Sequence, residues 1–184
     1  FAMELVEGLP LNRWAAAHRR DLSAQLRVAA AICAAVQSAH ERRIIHRDLK
    51  PSNIVVRNDG QPVVLEFGIA RLAGVAIGDE AGQFSGTPQY AAPEQHLGRD
   101  HDFRSGESVD VYAAGAIVFE ILSGRKLFEF PRGASIAEMR RAVLEARVPR
   151  LAEVLEDCPT FLDEIVARAV RRDPADRFYS IAAL

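Results

Sequence analysis

The hydrophobic positions follow two rhythms. Leu22, Leu26, Ala29, Cys33, Val36 and His40 recur at three- and four-residue intervals, which predicts a long helix with Asp21 as its N-cap. A brief helix is expected ahead of it, around Leu11 to Ala17, and residues 1–8 read as the end of a strand running into a turn. The rhythm then changes. Ile54-Val55-Val56 and Val63-Val64-Leu65 are β-branched runs joined across Asn58-Asp59-Gly60, a pattern that predicts a hairpin. Over 68–93 both rhythms vanish. Gly74, Gly78, Gly82 and Gly86, with Asp79 and Glu80, mark a long irregular segment of the kind that is usually functional or mobile. Helical spacing returns over 109–122, 135–146, 160–171 and from Tyr179 onward. The expected fold is mainly α with a small β hairpin. Residue 1 carries no start signal and 178–184 read as a helix cut off in its second turn, so the expectation is one partial domain over 1–184, with no repeat and no linker.

Charge removes several partner classes. Lys+Arg 23 against Asp+Glu 25 leaves a formal charge of -2, so nothing in the balance draws the chain to nucleic acid or an anionic membrane. Cys33 and Cys158 lie in amphipathic stretches without metal-ligand spacing, which predicts two buried reduced thiols and a cytoplasmic setting. No uninterrupted run reaches the roughly 20 apolar residues of a membrane span. The most apolar stretch, 111–122, follows Asp110 and is interrupted by Glu120.

The chemistry concentrates in His46-Arg47-Asp48-Leu49-Lys50-Pro51-Ser52-Asn53, just before the hairpin. An aspartate, then a lysine two positions on and an asparagine five positions on, form the set phosphoryl transfer needs. The carboxylate orients an attacking hydroxyl and takes its proton, the cation offsets charge on the moving phosphoryl, and a neutral oxygen helps hold Mg²⁺.

This segment matches the H-R-D-L-K-P-x-N catalytic loop, and the chain resembles the large, C-terminal lobe of a eukaryotic-type (Hanks-type) protein kinase. Lys50 points to the Ser/Thr-specific branch. Further matches follow in order. Glu66-Phe67-Gly68 stands in the place of D-F-G, and 86–94 resembles the G-T-x-x-Y-x-A-P-E end of the activation segment. Asp110-Val111-Tyr112 with Gly115 resembles the opening of the central helix, and Asp173-Pro174-Ala175-Asp176-Arg177 the D-P-x-x-R motif. Gln95 after Pro93-Glu94, and Gly68-Ile69-Ala70-Arg71, have the flavour of bacterial members. The resemblance divides the chain into a hinge (1–8), catalytic loop (46–53), activation segment (66–94) and helical remainder (107–184), with the small N-terminal lobe outside it.

That resemblance implies a transferase moving the ATP γ-phosphate to a Ser or Thr hydroxyl of a protein substrate. Asp48 would be the base and Lys50 the γ-phosphate contact. Asn53 and Glu66 would hold Mg²⁺. Thr87 would bond toward Asp48 and Lys50 and shape the acceptor site. Glu4 C=O and the Val6 amide would meet adenine, with Met3 as gatekeeper and Val55 on the apolar floor. His46 and Phe67 would stack as architecture. Glu94 and Arg177 would form a buried ion pair, and Asp110 would accept backbone N–H groups of the catalytic loop. Arg47 marks the class regulated by activation-loop phosphorylation. Ser85 is the candidate phosphosite and Arg71 a second ligand for that phosphate, although Ser85 reads equally as an unmodified loop serine.

Two departures qualify the expectation. Glu66 replaces the family's aspartate and displaces its oxygens by roughly 1.5 Å, a bond length. Mg²⁺ geometry is strict, so activity is expected to be reduced, shifted toward the larger Mn²⁺, or absent. The Gly-rich loop and the strand lysine lie outside this chain, so the chain alone is expected to bind ATP poorly and transfer no phosphate. The alternative is a pseudokinase that acts as a binding or scaffold module. Residues 96–108 read as a charged, solvated loop insertion, and Arg140, Arg141, Arg147 and Arg150 as a basic helix face.

Overall fold

The computed structural model describes residues 6–67, 87–99 and 103–184. Glu4, Met3, Arg71 and Ser85 lie outside them. Among the described residues six α-helices surround a short three-stranded antiparallel sheet.

The first helix, α1 (Leu11–Ala17), buries Leu11, Trp14 and Ala15. The second, α2 (Leu22–His40), starts where Asp21 Oδ1 accepts the Ala24 N–H at 2.8 Å, as its sequence predicts. Its buried face differs from the expected stripe. Gln25, Val28, Ala29, Ile32, Val36 and His40 face inward, while Leu22 is exposed and Leu26 and Cys33 are half-buried. Alanines and leucines cover so much of this helix that its partner decides which face is covered. The Gln25 Nε2 bond to Ile121 O, 2.9 Å, fixes that choice. By length and composition α2 is long and apolar enough to cross a membrane, although polar residues interrupt its apolar run. Here its contacts are those of a core helix.

The sheet has the order β1 (Leu9–Pro10), β2 (Ile54–Val56), β3 (Pro62–Val64). Val55 pairs with Val63, and Leu9 with Val56. The hairpin turn closes through Gly60 N–H to Arg57 O, 2.9 Å, with Gly60 at φ +83° and Asp59 Oδ1 accepting the Gln61 N–H. Proline opens β3 at a sheet edge, a position that needs no ladder donor. β1 is too short to leave a period-2 signal, so the third strand was not legible.

After the short α3 (Pro93–His96) comes the central helix, α4 (Phe103–Ser123). It begins before the expected position 109, which overturns the loop reading for 103–108. Apart from Phe103 those residues are polar or glycine and gave no apolar rhythm, yet they form the outer first turns. From Val109 to Leu122 nearly every side chain is buried. Gly115 allows this closeness, because a Cβ there would stand 2.6 Å from Ala169 Cβ. α5 (Ile136–Glu145) opens on a Ser135/Glu138 capping box, and α6 (Thr160–Ala169) packs on α4. Beyond it, the helix expected from Tyr179 is a single 3₁₀ turn, Ile181–Ala183, docked on α2 through Ala182 N–H to Gln37 Oε1. Both cysteines are free but half-buried, where buried thiols were expected, and the burial of Cys33 pushes its thiol up to about 11. Arg147 pairs with Glu153 and Arg150 with Asp163, so the expected basic face is partly neutralised.

Candidate functional site

The catalytic loop hangs from a carboxylate inside the central helix. Asp110 is wholly buried; its Oδ2 accepts the His46 N–H at 2.9 Å and its Oδ1 the Arg47 N–H at 2.8 Å. His40 Nε2 lies 2.8 Å from Oδ2. A carboxylate only accepts, so that nitrogen carries the proton. Three donors compensate a charge that would otherwise be costly to bury. The loop needs this restraint, because Arg47 sits at φ +63°, where non-glycine residues are strained.

His46 braces the loop's other side. Its Nε2 donates to Leu65 O, 3.0 Å, its Nδ1 accepts the Asp48 N–H at 3.4 Å, and its ring lies 5.0 Å from that of Phe67 at 49°. Leu65 N–H also donates to Asn53 O, 2.7 Å. The strand leading to Glu66 is thereby tied to both ends of the loop.

Asp48 projects from this frame with 39% of its side chain exposed. Lys50 Nζ lies 2.5 Å from Oδ2, and the Thr87 backbone N–H donates to Oδ1 at 3.3 Å. The expected Thr87 contact thus runs through main chain to Asp48. Asn53 Nδ2 donates to Asp48 O, 3.1 Å, so Oδ1, which accepts a long 3.5 Å bond from Ser52 Oγ, is the amide atom that would meet a cation. Glu66 is exposed and at φ +57°. One amide oxygen and one carboxylate fit a Mg²⁺ ion that takes its remaining ligands from phosphates and water. Among the described residues no cluster of three or more His, Cys, Asp or Glu could hold a metal by itself. Val55 is half-buried in the middle strand and Val6 half-buried ahead of β1.

One ion pair and one phenol–carboxylate hydrogen bond lock the surroundings. Arg177, 2% exposed, pairs with both Glu94 oxygens at 2.6 and 2.7 Å and donates to the carbonyls of Ser108, Arg171 and Arg172. Tyr90 O–H donates to Glu120 Oε2, 2.6 Å, and burial, with this carboxylate, holds the phenol well above its usual range. Sequence reasoning missed Glu120, His40 and Gln95. Glu120 had a signal, since a lone acid inside an apolar helix needs a donor. Gln95 and His40 had none beyond their spacing. A concavity of about 510 Å³ between Trp14, Val28, Val56 and the hairpin turn shares no lining residue with the 46–53 loop.

The protein kinase domain family matches residues 1–183. The serine/threonine-protein kinase Pkn1 of Myxococcus xanthus is 39% identical over 98% of this chain and 26% of its own length. PknL of Mycobacterium tuberculosis is 38% identical over 80% of this chain and 35% of its own length. PksC of Streptomyces coelicolor is 35% identical over 99% and 33%. The chain spans between a quarter and about a third of these relatives. With a loop hung from Asp110 and relatives of this kind along nearly its whole length, the chain belongs to the protein kinase domain family, and its fold is that of the family's helical larger lobe.

Proposed function

We propose that the protein transfers the γ-phosphate of ATP to a serine or threonine hydroxyl of a protein substrate. The observation that carries this reading is the placement of Asp48, with Lys50 at 2.5 Å and the Thr87 N–H at 3.3 Å on a loop fixed by Asp110. Asp48 orients the acceptor hydroxyl and takes its proton. Lys50 leaves the carboxylate to meet the incoming γ-phosphate, and Thr87 keeps one Asp48 oxygen aimed at the acceptor site. A Mg²⁺ ion held by Asn53 and Glu66, or Mn²⁺ in its place, would neutralise charge on the phosphates when bound. Val6, Val55 and Glu4 are assigned to the adenine end. By the family resemblance, a phosphate on Ser85, contacted by Arg47 and Arg71, is assigned the regulatory role. The unpaired thiols suit a reducing compartment such as the cytoplasm.

A second reading, a pseudokinase scaffold, is favoured by Glu66 alone, since its extra methylene disturbs a strict Mg²⁺ geometry. Labelling with radioactive ATP decides between them, using the full-length protein with Mg²⁺ or Mn²⁺. Asp48→Asn is expected to reduce protein-bound label by 10²-fold or more. Equal label with and without the carboxylate would end the catalytic reading.

A further inference from the structure

Arg47 directly precedes the proposed base, and its left-handed backbone is held from both sides. Its N–H donates to Asp110 Oδ1 at 2.8 Å, and its carbonyl accepts from Gln95 Nε2 at 2.9 Å. The same Gln95 amide is engaged at its other end, where Oε1 accepts the Ala92 N–H at 3.0 Å. Ala92 closes the stretch that starts at Thr87, whose N–H reaches Asp48 Oδ1. Four segments thus form a ring: the base, the strained residue before it, the Gln95 side chain and the 87–92 stretch.

We propose that Gln95 is a positioning residue, whose side-chain amide sets the spacing between the Asp48 loop and the 87–92 segment that receives the acceptor hydroxyl. This rests on the kinase reading above. The chemistry demands a primary amide, because one end must donate to a carbonyl and the other must accept from an N–H. Glutamate can only accept when ionised, lysine can only donate, and methionine does neither usefully. With the link intact, the peptide plane between Arg47 and Asp48 cannot turn without pulling on Ala92, so the base and acceptor site keep one geometry. Losing it leaves the Arg47 carbonyl free to relax out of the strained conformation, and displacements of about 1 Å at such sites cost up to about 10²-fold in rate.

The competing role is simple helix capping. Gln95 is the third residue of α3, where a Glu or Gln side chain commonly reaches back to the N-cap N–H. The two roles part at Gln95→Glu. A cap is served as well by glutamate, whereas the Arg47 carbonyl loses its donor and gains a facing negative charge. In the full-length protein, Gln95→Glu is expected to lower kcat about 10- to 100-fold with the KM for ATP within about twofold. Its melting temperature should fall by less than that of Gln95→Met, because the contact to the Ala92 N–H survives. Gln95→Met should lose as much kcat and melt earlier as well. Wild-type kcat in Gln95→Glu overturns the proposal. A wild-type protein without Asp48-dependent labelling overturns only the kinase reading, and amide exchange then decides Gln95. Faster exchange at Thr87 and Arg47 in Gln95→Glu supports the link, and unchanged exchange at both overturns it.

Discussion

Under the proposed function, Glu66 is the residue expected to limit the rate. A left-handed backbone costs most side chains about 1–2 kcal/mol, and aspartate and asparagine tolerate it better than glutamate. Glu66→Asp therefore relieves two faults at once, since it shortens the reach to the metal and suits φ +57°. We expect it to raise Mg²⁺-dependent labelling on the order of 10-fold or more and to narrow any preference for Mn²⁺. A lower rate in the aspartate variant would show that the surroundings have adapted to the longer acid. The residues of the HRDLKPxN run were legible at this scale because their chemistry is local. The bonds from Asp110 to the loop backbone followed from the resemblance, but its His40 partner did not, because His40 lies 70 positions away and bonds it only once α2 and α4 have packed. The same holds for Tyr90 and Glu120, whose 2.6 Å bond joins residues 30 apart.

Among the elements, α4 organises the rest. It carries Asp110 to the loop, Glu120 to Tyr90 and the surface on which α2 and α6 pack. Its contact with α6 depends on the missing side chain of Gly115. Gly115→Ala adds a methyl 2.6 Å from Ala169 Cβ, and overpacking of this kind costs about 1–3 kcal/mol even though alanine is the better helix former. Urea unfolding should show that loss with an unchanged slope; a stabilised variant would mean the helices can part without penalty. Sequence periodicity located α1, α2, α5 and α6 within a few residues, because each has one apolar face and a cap or turn at its start. It failed where an element has two buried faces or none. α4 shows both cases, with polar first turns that read as loop and a body too uniformly apolar to show a period.

Across the whole molecule, buried titratable groups set the pH range. His96 is 5% exposed, and burial holds its pKa below the ordinary 6.5, partly countered by a hydrogen bond with the Pro88 backbone and reinforced by Arg140. The folded state keeps the imidazole neutral while the unfolded chain protonates near 6.5. Stability should therefore fall as pH drops through that value. Asp163 works at lower pH. Burial raises its pKa, but Arg150 and the Ala152 N–H outweigh burial and hold it below the usual carboxylate range, so its contribution persists above about pH 4 and is lost beneath it. The urea midpoint is expected to decline between pH 7.5 and 5.5, with most of the decline absent in His96→Gln. Equal declines in both proteins would assign it to another group. The amino-acid order by itself determined the helical class, the hairpin and the identity of the reactive loop, because capping, β-branching and a short run of chemical groups act between near neighbours. Tertiary structure alone decided which face of α2 is covered, where α4 begins, and how Gln95 and Asp110 hold Arg47 in a strained shape, because those choices are made by atoms distant in sequence that meet only when the chain has closed around α4.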